Sequence, residues 1–360
     1  LYTIFIFEIW KQGEITMTLP RAWIVDLETT PWYHCISSCV RQEMLLNQNG
    51  FDRKAFIEER LEFLSRVFAI SIGGHAIMEN HIHLVLYIDK DTAVAWDEEE
   101  VVRRWFTLHP IKNKKQEVIE PDPKMIKKLA ADSEWIEKQR KKLMDLGHFH
   151  KCLKEPLSRA INSADGTRGT IFAERFKSKG ILDLPALLQV LAYVDLNPVA
   201  AGIVKLPEES LYTSFRLRVQ TLLTQMRLGD LEKAMTTLLL DPQLTAGVET
   251  EGWLMPIEDR RLYKDFQVGI IEGFTLGHYL LLVDMLGRKK RSGKASIPNN
   301  AKSIFERLQL SVDSWITQQE KLGTRRPYGH YYSTDSCHLR DVAKQKGRKH
   351  LVNAGGNLSA

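Results

Sequence analysis

Residues 69–78 and 81–88 are two β-rich runs separated only by Glu79 and Asn80. A two-residue break between such runs predicts a β-hairpin, and so an antiparallel pair around which the rest of the chain must organise. The second run begins His81-Ile82-His83. Side chains alternate along a strand, so the two imidazoles leave one face together while Ile82 enters the core. Two histidines on a sheet face are ordinarily solvated, but at i and i+2 they also form a bidentate site for a divalent ion. The spacing alone leaves both readings open.

Elements on either side extend the pattern. The β-formers of residues 32–41, following Pro31, predict a first strand. Residues 51–68 predict an amphipathic helix carrying Phe56, Leu61, Phe63, Leu64 and Val67, with Asp52 as its cap. From 89 to about 147 the chain turns charged and is punctuated by Pro110, Pro121 and Pro123, which predicts a helical, surface-exposed insertion. A helix over about 149–162, a strand-like block over 170–177 and a helix opened by Pro185 and stopped by Pro198 follow. Residues 221–322 read as a helical accessory domain with no strand pair, and residues 323–360 as a basic, flexible tail. Residues 1–16 precede the first methionine, Met17, and are expected to lie outside the folded unit. Their apolar run is broken by Glu8 and falls short of the roughly 20 residues a membrane span needs.

Composition narrows the function classes. With 44% hydrophobic and 26% charged residues the chain is expected to fold as a globular protein rather than remain disordered. Four scattered cysteines exclude a disulfide framework and fit a reducing, cytoplasmic setting, with Cys35 and Cys39 expected as packing residues. Fifty Lys+Arg against 45 Asp+Glu leave a net charge of +5, which permits a polyanionic partner without requiring one.

Tyr193 and Asn197 lie one helical turn apart at the margin of an apolar stripe formed by Leu187, Val190, Leu191 and Val194. Alone, Tyr193 reads as an ordinary half-buried tyrosine. Beside a metal site it reads differently, because a phenolic oxygen can attack phosphorus when a metal polarises the phosphate.

Four blocks occur in a specific order: residues 31–40 (PWYHCISSCV), 75–84 (HAIMENHIHL), 172–178 (FAERFKS) and 193–202 (YVDLNPVAAG). In this order they resemble the single-tyrosine transposases of the HUH superfamily, and specifically the REP-associated tyrosine transposases of bacteria. The resemblance covers roughly residues 17–220. It implies an α+β fold, a ferredoxin-like or RRM-like antiparallel sheet with helices on one face, here with a helical C-terminal extension. It also implies a Mg²⁺- or Mn²⁺-dependent enzyme that cleaves and rejoins single-stranded DNA at hairpin or palindromic elements through a 5′-phosphotyrosine intermediate, as a monomer or homodimer. Carried onto this chain, Tyr193 is the nucleophile and His81, His83 and Asn197 are the metal ligands. Arg175, Lys177, Arg41 and Phe172 are the candidate DNA contacts, with Phe172 either a base-stacking ring or a core residue, and Asp195 is expected to face solvent. The charged stretch 89–147 is longer than in compact relatives. A different class remains open, a catalytically inactive, transposase-derived protein that binds DNA as a regulator.

Overall fold

The computed structural model describes residues 25–47, 50–204, 206–225, 252–259, 268–289, 331–333 and 335–345, so the expectation for residues 1–16 lies outside the described residues. The first strand, β1 (Trp32–Ser38), precedes α1 (Arg53–Val67), whose N-terminal N–H groups at Lys54 and Ala55 donate to the Asp52 carboxylate. Next come β2 (Ile70–Ile77) and β3 (His81–Ile88), a hairpin closed by the Met78 N–H on the His81 carbonyl at 2.9 Å. Strand β3 pairs antiparallel with β2 on one side and with β1 on the other, in a register running from Trp32 opposite Tyr87 to Ser38 opposite His81.

The charged insertion follows as α2 (Lys90–Ala95), α3 (Glu98–Leu108), a small hairpin of β4 (Ile111–Lys112) and β5 (Val118–Ile119), α4 (Pro123–Ala130) and α5 (Ser133–Lys142). The chain then returns to the sheet through α6 (Leu146–Asp165) and β6 (Lys177–Ile181), which pairs antiparallel with β1. An Asp side chain caps each of the five helices α2 to α6, at Asp89, Asp97, Asp122, Asp132 and Asp145. The order β2-β3-β1-β6, with α1 and α6 as the crossovers, is the ferredoxin-like arrangement.

Strand alternation gives this sheet two apolar faces. On one, Tyr33, Cys35, Leu84 and Leu86 pack against Leu61 and Leu64 of α1 and Leu153 and Leu157 of α6. On the other, Ala76, Val85 and Ile181 meet α7 (Leu184–Asp195), which is followed by the single turn α8 (Asn197–Ala200) and by α9 (Ser214–Gln225). Helices therefore cover both faces, the two crossovers on one and α7 on the other. Among the described residues no helix is long and apolar enough to cross a membrane.

Three local expectations are corrected. The block over 170–176 is not a strand: Phe172 and Phe176 turn into the first core, Phe172 joins the sheet only through a bridge to Cys39, and the ladder starts at Lys177. Beyond 222 the chain does form strands, β7 (Glu258–Asp259) and β8 (Ile271–Glu272), before α10 (Leu276–Lys289), whose Tyr279, Leu282 and Val283 share the second core with α7. The stretch expected as a flexible tail contributes β9 (Tyr331–Tyr332), a fifth strand parallel to β6, and α11 (Ser336–Gln345). Tyr331 fits there because Gly180 has no side chain; a Cβ at Gly180 would stand 2.7 Å from the Tyr331 ring.

Candidate active site

The strands, α7 and the turn α8 bring His34, His81, His83, Tyr193 and Asn197 together on the second face of the sheet. His81 and His83 project from β3 on the same side as Val85, and His34 projects from the neighbouring strand β1. Strand β2 carries a bulge between Ile72 and Gly74, and a Cβ on Gly74 would lie 2.9 Å from Leu191 of α7. The missing side chain is what allows the tyrosine helix to rest this close to the strand. Helix α7 ends at Asp195, and Pro198 prevents its smooth continuation, so Asn197 opens a new turn while still lying near Tyr193.

The hydrogen bonds fix how each ring can be used. His81 Nδ1 lies 2.6 Å from Asn80 Oδ1, and His83 Nδ1 lies 3.0 Å from His34 Nε2. In the tautomers that donate from both Nδ1 atoms, the Nε2 lone pairs of His81 and His83 are left for a ligand. His34 then carries its own proton on Nδ1, a buried atom with no hydrogen-bond partner. His83 Nε2 faces the Asn197 amide at 3.3 Å, and the Tyr193 hydroxyl is hydrogen-bonded to the same side chain. The rings of His81 and His83 meet edge to face with centroids 4.7 Å apart, and the Tyr193 ring stands perpendicular to His83 at 5.6 Å.

Electrostatics keep this cluster neutral. Burial pushes His34 down to about 3, with the Lys179 charge adding to the effect. Burial, and then the neighbouring His34, His81 and Lys179, hold His83 well below its ordinary value, and burial also lowers His81. Neutral imidazoles are the form that binds a metal. Burial raises Tyr193, partly offset by its bond to Asn197, so the phenol is protonated at neutral pH. Two imidazole nitrogens and an amide, whose oxygen reaches the same point as its nitrogen after a flip, suit a divalent ion. Such a mixed N,O set fits Mn²⁺ better than Mg²⁺, which demands oxygen.

Two residues of the site were not anticipated, His34 and Lys179. Lys179 lies on β6 directly opposite His34, is 5% exposed and is pushed down to about 8 by burial and then by Lys177. Neither carries a local sequence signal, because both enter through strand register, and Lys179 lies beyond the block read as a strand. Asp195 is also corrected. It does not face solvent but is buried, accepting from Ser214 Oγ at 2.5 Å, the Phe215 N–H at 3.0 Å and the Tyr279 hydroxyl. A carboxylate in the tyrosine helix thus ties that helix to α9 and α10.

The predicted DNA contacts separate. Lys177 lies on the site's face of β6, exposed and 3.2 Å from Glu174. Arg175 is exposed in the loop before β6. Arg41 projects into solvent from a backbone with φ of 53° and lies 3.8 Å from Glu43. Phe172 corrects the stacking expectation: its ring is 6% exposed in the first core, with the Lys154 ammonium 4.9 Å above it, and a base needs an open ring face.

No family model matches the chain, and no curated protein matches it. A solved structure of a REP-associated tyrosine transposase bound to a REP hairpin superposes with a TM-score of 0.32 at 14% identity, covering 52% of this chain and 78% of the other. A superposition that shallow says nothing about activity, and the chemistry of the site rests on its own geometry.

Proposed function

We propose that the chain is a metal-dependent transposase and endonuclease that cleaves and rejoins single-stranded DNA beside hairpin or palindromic elements, with Tyr193 as the nucleophile. The observation that carries this reading is the convergence of the four side chains: His83 Nε2 stands 3.3 Å from the Asn197 amide and the Tyr193 ring lies perpendicular to His83 at 5.6 Å, while the Nδ1 atoms of His81 and His83 lie against Asn80 and His34. A divalent ion bound by His81, His83 and Asn197 supplies Lewis-acid polarisation of the scissile phosphate.

The chain's own residues do the rest. Tyr193 Oη forms a bond to phosphorus as the bond from phosphorus to the 3′ oxygen breaks. The phenolic proton passes to water, and the departing oxygen takes one up to become a 3′-hydroxyl. The 5′ side of the break stays on Tyr193 as an ester, which a 3′-hydroxyl can attack in reverse to rejoin strands without an external energy source. Asn197 orients the phenol, and Lys179 and Lys177, on the same sheet face, attract the phosphates flanking the break.

The test incubates the full chain with a library of labelled single-stranded hairpins and Mn²⁺ and reads covalent adducts after denaturation. The wild type forms a metal-dependent adduct mapping to Tyr193, and Tyr193→Phe and His81→Ala form none. An adduct persisting in Tyr193→Phe would overturn the nucleophile assignment. Hairpin binding with no cleavage under any metal would establish the inactive DNA-binding regulator instead.

A further inference from the structure

A second cluster of metal-ligating side chains lies among the crossover helices, on the sheet face opposite His81 and His83. His109 caps the C-terminus of α3, His148 lies in the first turn of α6, and Cys152 follows one turn later. The Nε2 atoms of His109 and His148 are 3.3 Å apart, His148 Nε2 and Cys152 Sγ are 3.8 Å apart, and all three ligand atoms lie within 4.8 Å of one another. Tetrahedral zinc with bonds of roughly 2.0–2.1 Å to nitrogen and about 2.3 Å to sulfur has ligand-to-ligand edges of about 3.3 Å and about 3.6 Å. The two edges that meet at His148 Nε2 are close to these lengths, and the third lies within 4.8 Å.

The rings are held in place from outside the cluster. Trp105 stacks on His148, with centroids 5.7 Å apart and planes 12° from parallel, and also contacts His109 at 4.3 Å, while Phe68 closes on His148 at 5.8 Å. The Lys142 ammonium stands 4.8 Å over the Trp105 ring, and Lys151 lies on α6 one residue before Cys152. Those cations oppose a dication, so a weakly held oxygen-seeking ion gains nothing here. An ion that displaces the thiol proton and bonds the sulfur gains a covalent contribution and a compensating negative charge.

We propose that His109, His148 and Cys152 form a site for a borderline-soft divalent ion of the zinc class, with the exposed side of His109 leaving the fourth position open to solvent. Binding exchanges the Cys152 S–H proton, released to water, for a sulfur–metal bond. The ion links the end of α3 in the charged insertion to α6 in the core, and so fixes the base of the β4–β5 hairpin, which starts two residues beyond His109.

The test titrates the metal-free full chain with Co²⁺ and follows its absorption spectrum, then displaces the ion with Zn²⁺. The expected result is a thiolate-to-cobalt charge-transfer band together with the visible bands of a four-coordinate ion. His81, His83 and Asn197 offer no sulfur, so the thiolate band distinguishes the two sites. Cys152→Ser abolishes that band. His109→Ala, at an exposed position that does not endanger folding, weakens Zn²⁺ binding at this site by at least the roughly 10–100-fold that loss of an outer-shell partner costs. Absence of a thiolate band in the wild type, its survival in Cys152→Ser, or unchanged Zn²⁺ affinity in His109→Ala overturns the assignment.

Discussion

His34 offers no ligand atom to the proposed ion, yet its ring occupies the Nδ1 side of His83 at 3.0 Å and leaves Nε2 to face Asn197. The price is a neutral imidazole in full burial, and that has a consequence for stability. In the unfolded chain a histidine takes up its proton near pH 6.5, whereas folded His34 resists protonation down to about 3. Below pH 6.5 the unfolded state therefore binds the extra proton, and stability declines as pH falls toward 3, by up to about 1.4 kcal/mol per pH unit from this residue. Above pH 6.5 the contribution is constant. Urea unfolding at pH 7.5 and pH 5.5, in chelator, should show a shallower pH slope in His34→Gln than in the wild type; equal slopes would mean that His34 is not held neutral. That His81 and His83 share a strand face and that Tyr193 and Asn197 lie near one another was legible in the sequence because strand alternation and helical spacing are local rules, whereas their roles came only from the resemblance. His34 and Lys179 were not, since each owes its place to a neighbour about 50 or more positions away in the chain.

At the scale of elements, the tyrosine helix is held from both ends of its contact with the sheet. Gly74 lets α7 approach, and Asp195 binds its C-terminal turn to α9 and α10. Gly74→Val should force Leu191 and Ser214 aside, costing about 1–3 kcal/mol of stability by overpacking and slowing adduct formation as Tyr193 is displaced. Thermal melts paired with single-turnover cleavage would check both effects, and a normal cleavage rate in this variant would show that the helix position is not set here. Asp195→Ala leaves the Ser214 hydroxyl, the Phe215 N–H and the Tyr279 hydroxyl without their buried acceptor, for a loss on the order of 3 kcal/mol in denaturant unfolding. Helix α1 was legible to within a residue or two, because Asp52 and the apolar spacing mark it locally. The start of β6 was not: Phe172 and Phe176 have strand-like chemistry but serve as plugs for the first core, and packing overrides propensity.

At the scale of the whole molecule, the segment 331–333 returns to the sheet that β1 opened. Tyr331 is buried beside Gly180, and the Ser333 hydroxyl donates to Asp183, the cap of the tyrosine helix. A chain ending at residue 330 should lose about 2–4 kcal/mol with the buried tyrosine and its strand contacts while losing no more helical circular dichroism than the removal of α11 accounts for, as read by calorimetry and spectroscopy. An unchanged melting temperature would assign the edge strand no stabilising role. Such a closure carries little local signal, since a two-residue strand is recognised only by its partner. The bulge in β2 has a further consequence, one of parity. Before it, Ile70 and Ile72 supply the first core from even positions; after it, His75 and Ile77 point that way from odd ones. The extra residue sends the His75 imidazole to Glu58 of α1, 2.9 Å away, and sets Ala76 opposite His83. Without that offset a fourth imidazole would occupy the room beside His83, so a single glycine spacer keeps a methyl group where a bulky ring would otherwise crowd the His83 and Tyr193 rings.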